Sequence, residues 1–133
     1  MAHNFKPDVA VKFAALLRSG RIPQTFFTLA EMRADGMICC CAEGVLCELY
    51  KNETGNGAWG GAPYVGSSTS LQFKVDGARS TTRAPDAVRR WALVEDPAGA
   101  APTPMVSGDF LMSLNDRERS SFETIADLLD PKP

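Results

Sequence analysis

The sequence predicts a single α+β domain in which about four helices pack around a small antiparallel β-sheet. Three observations carry this prediction. The length of 133 residues matches one domain. Apolar residues recur at helical spacing near both ends of the chain, which favours packed amphipathic helices there. Between these ends lie a hairpin pattern near residues 24–38 and an alternating strand pattern near residues 70–76.

The first two elements are a helix and a hairpin. The helix is predicted from about Pro7 to Ser19, because proline suits the first helical position and Gly20 suits a helix end. Residues 24–32 are rich in β-branched and aromatic side chains, and the turn signal Asp35-Gly36 follows them. The chain is therefore expected to form a short β-hairpin here.

The middle of the chain combines a second helix, a loop and a strand. The helix is predicted from Cys41 to Lys51. Residues 52–70, NETGNGAWGGAPYVGSSTS, are rich in Gly and Ser and are predicted to form a flexible loop. The phrase SLQFKVDG then alternates apolar and polar residues, as a half-buried strand does.

The last part of the chain predicts further helices around a linker. The phrase APDAVRRWA is expected to be a short helix, because Pro85 stands near its first position and Asp86 lies in its first turn. Residues 96–104 are predicted as a Pro/Ala linker. The end of the chain predicts a short helix, a polar turn and a final helix, which the capping-box pair Ser120 and Glu123 would begin.

Composition excludes some classes of function. The net charge is -2 and the pI is near 5.4, so the chain has no overall basic field and nucleic-acid binding is not expected. No apolar run approaches the roughly 18 residues that a membrane span needs. The N-terminal apolar stretch is broken by Pro7, Asp8 and Lys12, unlike a signal peptide, and a cytoplasmic location with reduced cysteines is predicted.

Four cysteines lie within nine residues, in the phrase MICCCAEGVLCELY. Cys39, Cys40 and Cys41 are contiguous, so their side chains point in different directions, and Cys47 follows in the predicted helix. A structural zinc site usually has paired ligands, and a catalytic thiol needs a nearby base, yet His3 is the one histidine of the chain. The pattern therefore favours packing in the core over metal binding or thiol chemistry.

Two further segments offer binding surfaces. The phrase GNGAWG spans Gly55–Gly60 but lacks the preceding strand and following helix of a dinucleotide site. Trp59 and Tyr64 could be aromatic anchors for a partner, or the loop could fold back on its own core.

Apolar residues at helical spacing form a stripe along the predicted last helix, the C-terminal stripe, for which two roles are open. Phe122, Ile125 and Leu129 could dock the last helix on the core of the same chain, or form a dimer surface if they are partly uncovered. The phrase SSFETIADLLD is also similar to the first helix of many helix-turn-helix domains, but we do not expect a second, recognition helix after it.

Four phrases taken in order resemble a family of small proteins from tailed bacteriophages and prophages. They are FAALLRSGRIPQTFFTL, CCCAEGVLCELY, APDAVRRWA and LNDRERSSFETIADLLD. The chain differs from the family pattern at Phe13, where tryptophan is usual, at Ile22, where tyrosine is usual, and by one extra residue before Gly44. The resemblance implies a phage origin and an accessory role, and it assigns no catalytic residue.

The leading functional prediction is a non-enzymatic phage accessory protein that binds a host protein and inhibits a host defence or process. It is expected to be a monomer or homodimer without a metal or cofactor. The alternative is a protein that binds or sequesters nucleotides or other small ligands, with Trp59 or Tyr64 stacked on the base and a group of arginines on the phosphates. These arginines are Arg79, Arg83, Arg89 and Arg90. A DNA-binding regulator is the lower alternative.

Overall fold

A five-stranded antiparallel sheet with helices packed on it forms the centre of the computed structural model, which describes residues 5–61, 69–94, 111 and 113–131. The strands are β1 (Ala30–Met32), β2 (Ile38–Cys40), β3 (Ala58–Gly61), β4 (Thr69–Val75) and β5 (Ala78–Ser80). The helices are α1 (Pro7–Arg18), α2 (Ala42–Thr54), α3 (Asp86–Ala92) and α4 (Phe122–Leu129), with a π-helical turn at Ser113–Arg117. The predicted α+β class is confirmed.

Strand β4 organises the sheet, whose order is β2-β1-β4-β3. At its start, Leu71 pairs with Ala30 of β1, and towards its end Phe73 pairs with Ser80 of β5. Phe73 also pairs with Trp59 of β3. Since a residue has one neighbour on each side in a sheet, β1 and β5 share one edge of β4 and β3 occupies the other.

Two tight turns set the hairpins. Between β1 and β2, the side chain of Asp35 accepts the backbone N–H of Met37 and Gly36 has φ 84°. Between β4 and β5, Asp76 and Gly77 both have positive φ, which matches the twist of a two-residue hairpin. The first hairpin was predicted, although its first strand begins at Ala30 and not at residue 24.

The first and last helices pack against each other. Phe13 of α1 and Ile125 of α4 are fully buried. Arg18 at the end of α1 donates to Asp127 Oδ1 over 2.7 Å and to the backbone oxygen of Asp130 over 2.6 Å. The N-cap of α4 is Ser121, whose Oγ accepts the N–H of Thr124 over 3.2 Å. The capping box predicted at Ser120 is thus one residue too early.

The segment predicted as a loop is partly regular structure. Residues 52–54 complete α2, which ends at Gly55 in the left-handed conformation (φ 74°). Residues 58–61 form β3, because their backbone pairs with β4. Residues 69 and 70 begin β4, so the loop prediction is wrong for these three stretches. Residues 62–68 and the predicted linker 96–104 lie outside the described residues.

The described helices are all short relative to a bilayer. Across residues 5–61, 69–94, 111 and 113–131, none has the length and apolar character that crossing a membrane requires.

Candidate functional site

Asn115 lies buried at the centre of a polar network. Its Oδ1 accepts hydrogen bonds from Gln24 Nε2 (2.7 Å) and from the backbone N–H of Ala42 (3.2 Å). Its Nδ2 donates to the backbone oxygen of Thr25 (2.9 Å) and to Asp116 Oδ1 (2.8 Å). The side chain thus joins the π-helical turn to the segment before β1 and to the first residue of α2.

The network brings together two phrases that the sequence separates by 90 residues. Gln24-Thr25 precedes β1, and Leu114-Asn115-Asp116 lies within the π-helical turn Ser113–Arg117. The Asn115 amide thus accepts two hydrogen bonds and donates two, so its hydrogen-bonding capacity is fully used, as is usual for a buried polar group.

Phe27 is held on the outside of this network. Its backbone N–H donates to Asp116 Oδ1 over 2.9 Å. Its φ is 66°, and 65% of the residue is exposed. A left-handed conformation costs a residue other than glycine roughly 1–2 kcal/mol. The bond to Asp116 therefore helps to hold an exposed aromatic side chain on a strained backbone.

Arg119 completes a surface around this phenylalanine. Its guanidinium carbon lies 4.6 Å from the ring centroid of Phe26 and 5.7 Å from that of Phe27. Arg119 also has a positive φ, of 51°. In the described residues three residues other than glycine have a positive φ, and the third, Asp76, is in an ordinary hairpin turn. Two strained residues thus meet in one cluster, which we call the aromatic surface: Phe26, Phe27 and Arg119.

Glu43, in the first turn of α2, is a second buried acid. The residue is 1% exposed, and its Oε1 accepts the backbone N–H of Ala84 over 3.0 Å. Its Oε2 has no hydrogen-bond partner within the described part of the chain. Burial raises the pKa of Glu43 to about 7, although the bond from Ala84 and the charges of Arg83 and Arg89 act in the opposite direction. The charge of Asp116 adds to the increase.

All four cysteine thiols are buried, as the packing interpretation predicts. Burial raises the pKa of Cys41 to about 12 and shifts the pKa values of Cys40 and Cys47 upward as well. These three thiols are therefore protonated at neutral pH. In the ranges that the structure describes, no three His, Cys, Asp or Glu side chains come together in a way that could hold a metal ion.

Trp59 lies in β3, where it is half-buried. Its ring packs edge-on against Phe73, with centroids 4.9 Å apart, and its Nε1 donates to Glu48 Oε2 over 3.2 Å. This is the arrangement of the alternative in which the segment folds back on its own core. Tyr64, the other proposed aromatic anchor, lies outside the described residues.

The four arginines proposed as phosphate ligands occupy different surroundings. Arg79 of β5 and Arg90 of α3 are exposed. Arg83 and Arg89 are half-buried, and both lie close enough to Glu43 to lower its pKa. The structure thus brings two of the four to a shared carboxylate, and their role in phosphate binding stays a prediction.

The C-terminal stripe is inside the protein. Phe122, Ile125 and Leu129 are buried in the main core, on the helix that packs against α1. They dock α4 on the same chain, which is the first of the two alternatives, and the partial exposure that the dimer alternative requires is not observed at these three residues.

Sequence reasoning missed the residues of the aromatic surface and its support. A signal was present, because Phe26-Phe27 is an adjacent aromatic pair before a turn and Asn115-Asp116 are polar residues beside apolar Leu114. Neither signal shows that the two segments are in contact, since this depends on the tertiary fold.

Comparison with known proteins gives one match. A family model described as a domain of unknown function, DUF8296, matches residues 5–132. No curated protein and no solved structure matches the chain.

Proposed function

The chain belongs to DUF8296, a family of domains of unknown function, and we propose that it is a non-enzymatic accessory protein, encoded by a phage or prophage, that binds a host protein. The resemblance of its sequence phrases to small phage proteins supports the origin. The aromatic surface supports the binding role. On this proposal the bound host protein is inhibited in a defence or another cellular process.

The observation that carries the proposal is the exposed Phe27 in a left-handed conformation. Strained backbone persists only where its surroundings fix it, and such strain is concentrated at functional sites. The residue is 65% exposed, so it adds little to the core. Phe27 thus has a strained backbone and a side chain that contributes little to the core. Contact of this side chain with another molecule accounts for both features.

The composition of the aromatic surface fits a protein partner. Protein interfaces are enriched in aromatic residues and arginine, and depleted of lysine and acidic residues. Phe27 supplies an apolar ring, and Arg119 beside it supplies a guanidinium that is held over two rings. The nucleotide alternative has less support, because the indole N–H of Trp59 is already bonded to Glu48 and its ring packs against Phe73.

Photo-crosslinking tests the proposal. A photoreactive amino acid replaces Glu118, which is exposed beside Arg119, so that the aromatic surface itself stays intact. The matched control carries the same group at Val11, an exposed apolar residue of α1. Illumination in cells of the bacterial host is expected to join a specific host protein to position 118 and not to position 11.

Binding by purified variants completes the test. The crosslinked host protein is expected to bind the wild type and Val11→Ala alike and to lose binding to Phe27→Ala. Identical crosslinks at positions 118 and 11, or equal binding by Phe27→Ala and Val11→Ala, would contradict the proposal.

A further inference from the structure

We propose that Asp116 is the positioning residue of the aromatic surface, which it fixes before a partner arrives. This inference rests on the proposed function for its consequence, but the positioning itself concerns the free protein. Asp116 is 89 residues from Phe27 in the sequence and contacts its backbone N–H directly.

One carboxylate oxygen performs the positioning. Asp116 Oδ1 accepts the N–H of Phe27 over 2.9 Å and the side-chain amide of Asn115 over 2.8 Å. Asp116 is buried while Phe27 is exposed, so the bond between them is partly buried. The left-handed backbone of Phe27 is therefore held by a hydrogen bond at the point where it is strained.

Asn115 keeps this oxygen in place. Its amide is bonded at the same time to Thr25, to Gln24 and to the first residue of α2. The amide that donates to Asp116 is thus itself anchored to the segment before β1 and to α2. The acceptor for Phe27 is fixed by the core and not by the surface loop.

The same turn also places Arg119. The π-helical turn ends at Arg117, two residues before Arg119, and the backbone N–H of Ser120 donates to the oxygen of Leu114 over 2.9 Å. Single π-helical turns occur frequently at functional sites. The turn therefore fixes both halves of the aromatic surface: Phe27 through Asp116, and Arg119 through the backbone bond of the next residue, Ser120.

The consequence is that the aromatic surface already has its binding conformation in the free protein. A protein whose binding-competent conformation is fully populated has a higher apparent affinity than one that must first adopt it. If loss of the Asp116 acceptor reduces the left-handed state of Phe27 to about a tenth, apparent affinity falls about tenfold.

Nuclear magnetic resonance on the free protein tests the positioning. A left-handed residue has a short distance between its own amide and α protons, which gives a strong cross-peak between them. We expect this cross-peak for Phe27 in the wild type and in Asp116→Asn, which keeps an oxygen acceptor. We expect it to weaken in Asp116→Ala. A strong cross-peak in Asp116→Ala would overturn the proposal.

A second variant and a binding measurement keep the test decisive. If Asp116→Ala does not fold, Asp116→Ser replaces it, because its shorter side chain stays polar but does not reach the Phe27 amide. The host protein recovered by crosslinking is expected to bind Asp116→Ala about tenfold more weakly and Asp116→Asn within about threefold of wild type. Equal binding by all three would overturn the proposal. If crosslinking recovers no host protein, the proposed function fails, while the cross-peak still decides the role of Asp116.

Discussion

The buried carboxylate of Glu43 accepts the backbone N–H of Ala84 and so joins the first turn of α2 to the residue before the N-cap of α3. The other carboxylate oxygen is buried without a hydrogen bond in the described residues. Burial of an ionised acid with an unsatisfied oxygen is unfavourable, and a group in such a site retains its proton to higher pH. Glu43 therefore links the stability of this junction to pH.

The contribution of Glu43 to stability is expected to decrease as the pH rises from about 4.5 to about 7. The pKa of Glu43 is raised from 4.5 to about 7 in the folded protein, so the folded state binds this proton more tightly than the unfolded chain does. The contribution is fully present below the unfolded value and is lost as pH rises through the folded value. A shift of this size corresponds to about 3 kcal/mol in the free energy of unfolding.

The variant Glu43→Gln isolates this effect. Its amide oxygen can still accept from Ala84, but the side chain does not ionise, so the free energy of unfolding should vary less with pH in this window. Urea unfolding at pH 5, 6, 7 and 8 measures the difference. Glu118→Gln, which removes an exposed carboxylate, is the control and should follow the wild type. Parallel profiles for wild type and Glu43→Gln would show that Glu43 is not the responsible group.

The variant Gly44→Ala should be strongly destabilised. A Cβ at this position would lie 2.0 Å from the backbone oxygen of Leu29 and 3.0 Å from the Cβ of Cys40. The backbone of α2 would have to move away from the segment before β1, a change that costs on the order of 3 kcal/mol or more. Urea unfolding measures the loss.

Gly61→Ala is the matched control for this substitution. It lies in β3 and does not have a positive φ, and no atom of the described residues lies within 4 Å of an added Cβ. Its stability should equal or slightly exceed that of the wild type, because alanine loses less conformational entropy on folding than glycine. If both variants lost the same free energy of unfolding, the close contact with Leu29 would not be the reason that residue 44 must be glycine.

Local sequence signals predicted most of the regular structure. Pro7 and Gly20 bracket α1, Asp35-Gly36 marks the first hairpin, and the alternation after residue 70 marks β4. The signals failed at Ala58–Gly61. Three of the four residues there are small, and only pairing with β4 makes them a strand.

The candidate site could not be predicted from local signals. Asn115 and Asp116 occur in a polar stretch that is typical of a solvated turn, yet both are buried. Their burial depends on contacts with residues about 90 positions earlier. The position of Trp59 shows the same limit, because its aromatic character is visible in the sequence but its contact with Phe73 is not.

The cysteines should resist modification in the folded protein. All four are buried, and burial raises the pKa values of Cys40, Cys41 and Cys47. Since the thiolate is the reactive form, a thiol reagent at pH 7.5 should label the protein only as fast as it unfolds. Counting labelled thiols over time, with and without urea, measures this. Rapid labelling of any cysteine without urea would show that it is accessible in the native state.

Replacement of Phe27 by glycine should separate stability from binding. Glycine removes the steric cost of the left-handed backbone, roughly 1–2 kcal/mol, and adds an entropic cost of roughly 0.5–1 kcal/mol. The lost contact with Arg119 contributes at most about 1 kcal/mol at an exposed site. The free energy of unfolding should therefore stay within about 1 kcal/mol of wild type, whereas Phe13→Ala, in the core, should lose about 3–5 kcal/mol. Retained stability with lost binding to the host protein would place Phe27 at the interface, while a loss as large as that of Phe13→Ala would make its role structural.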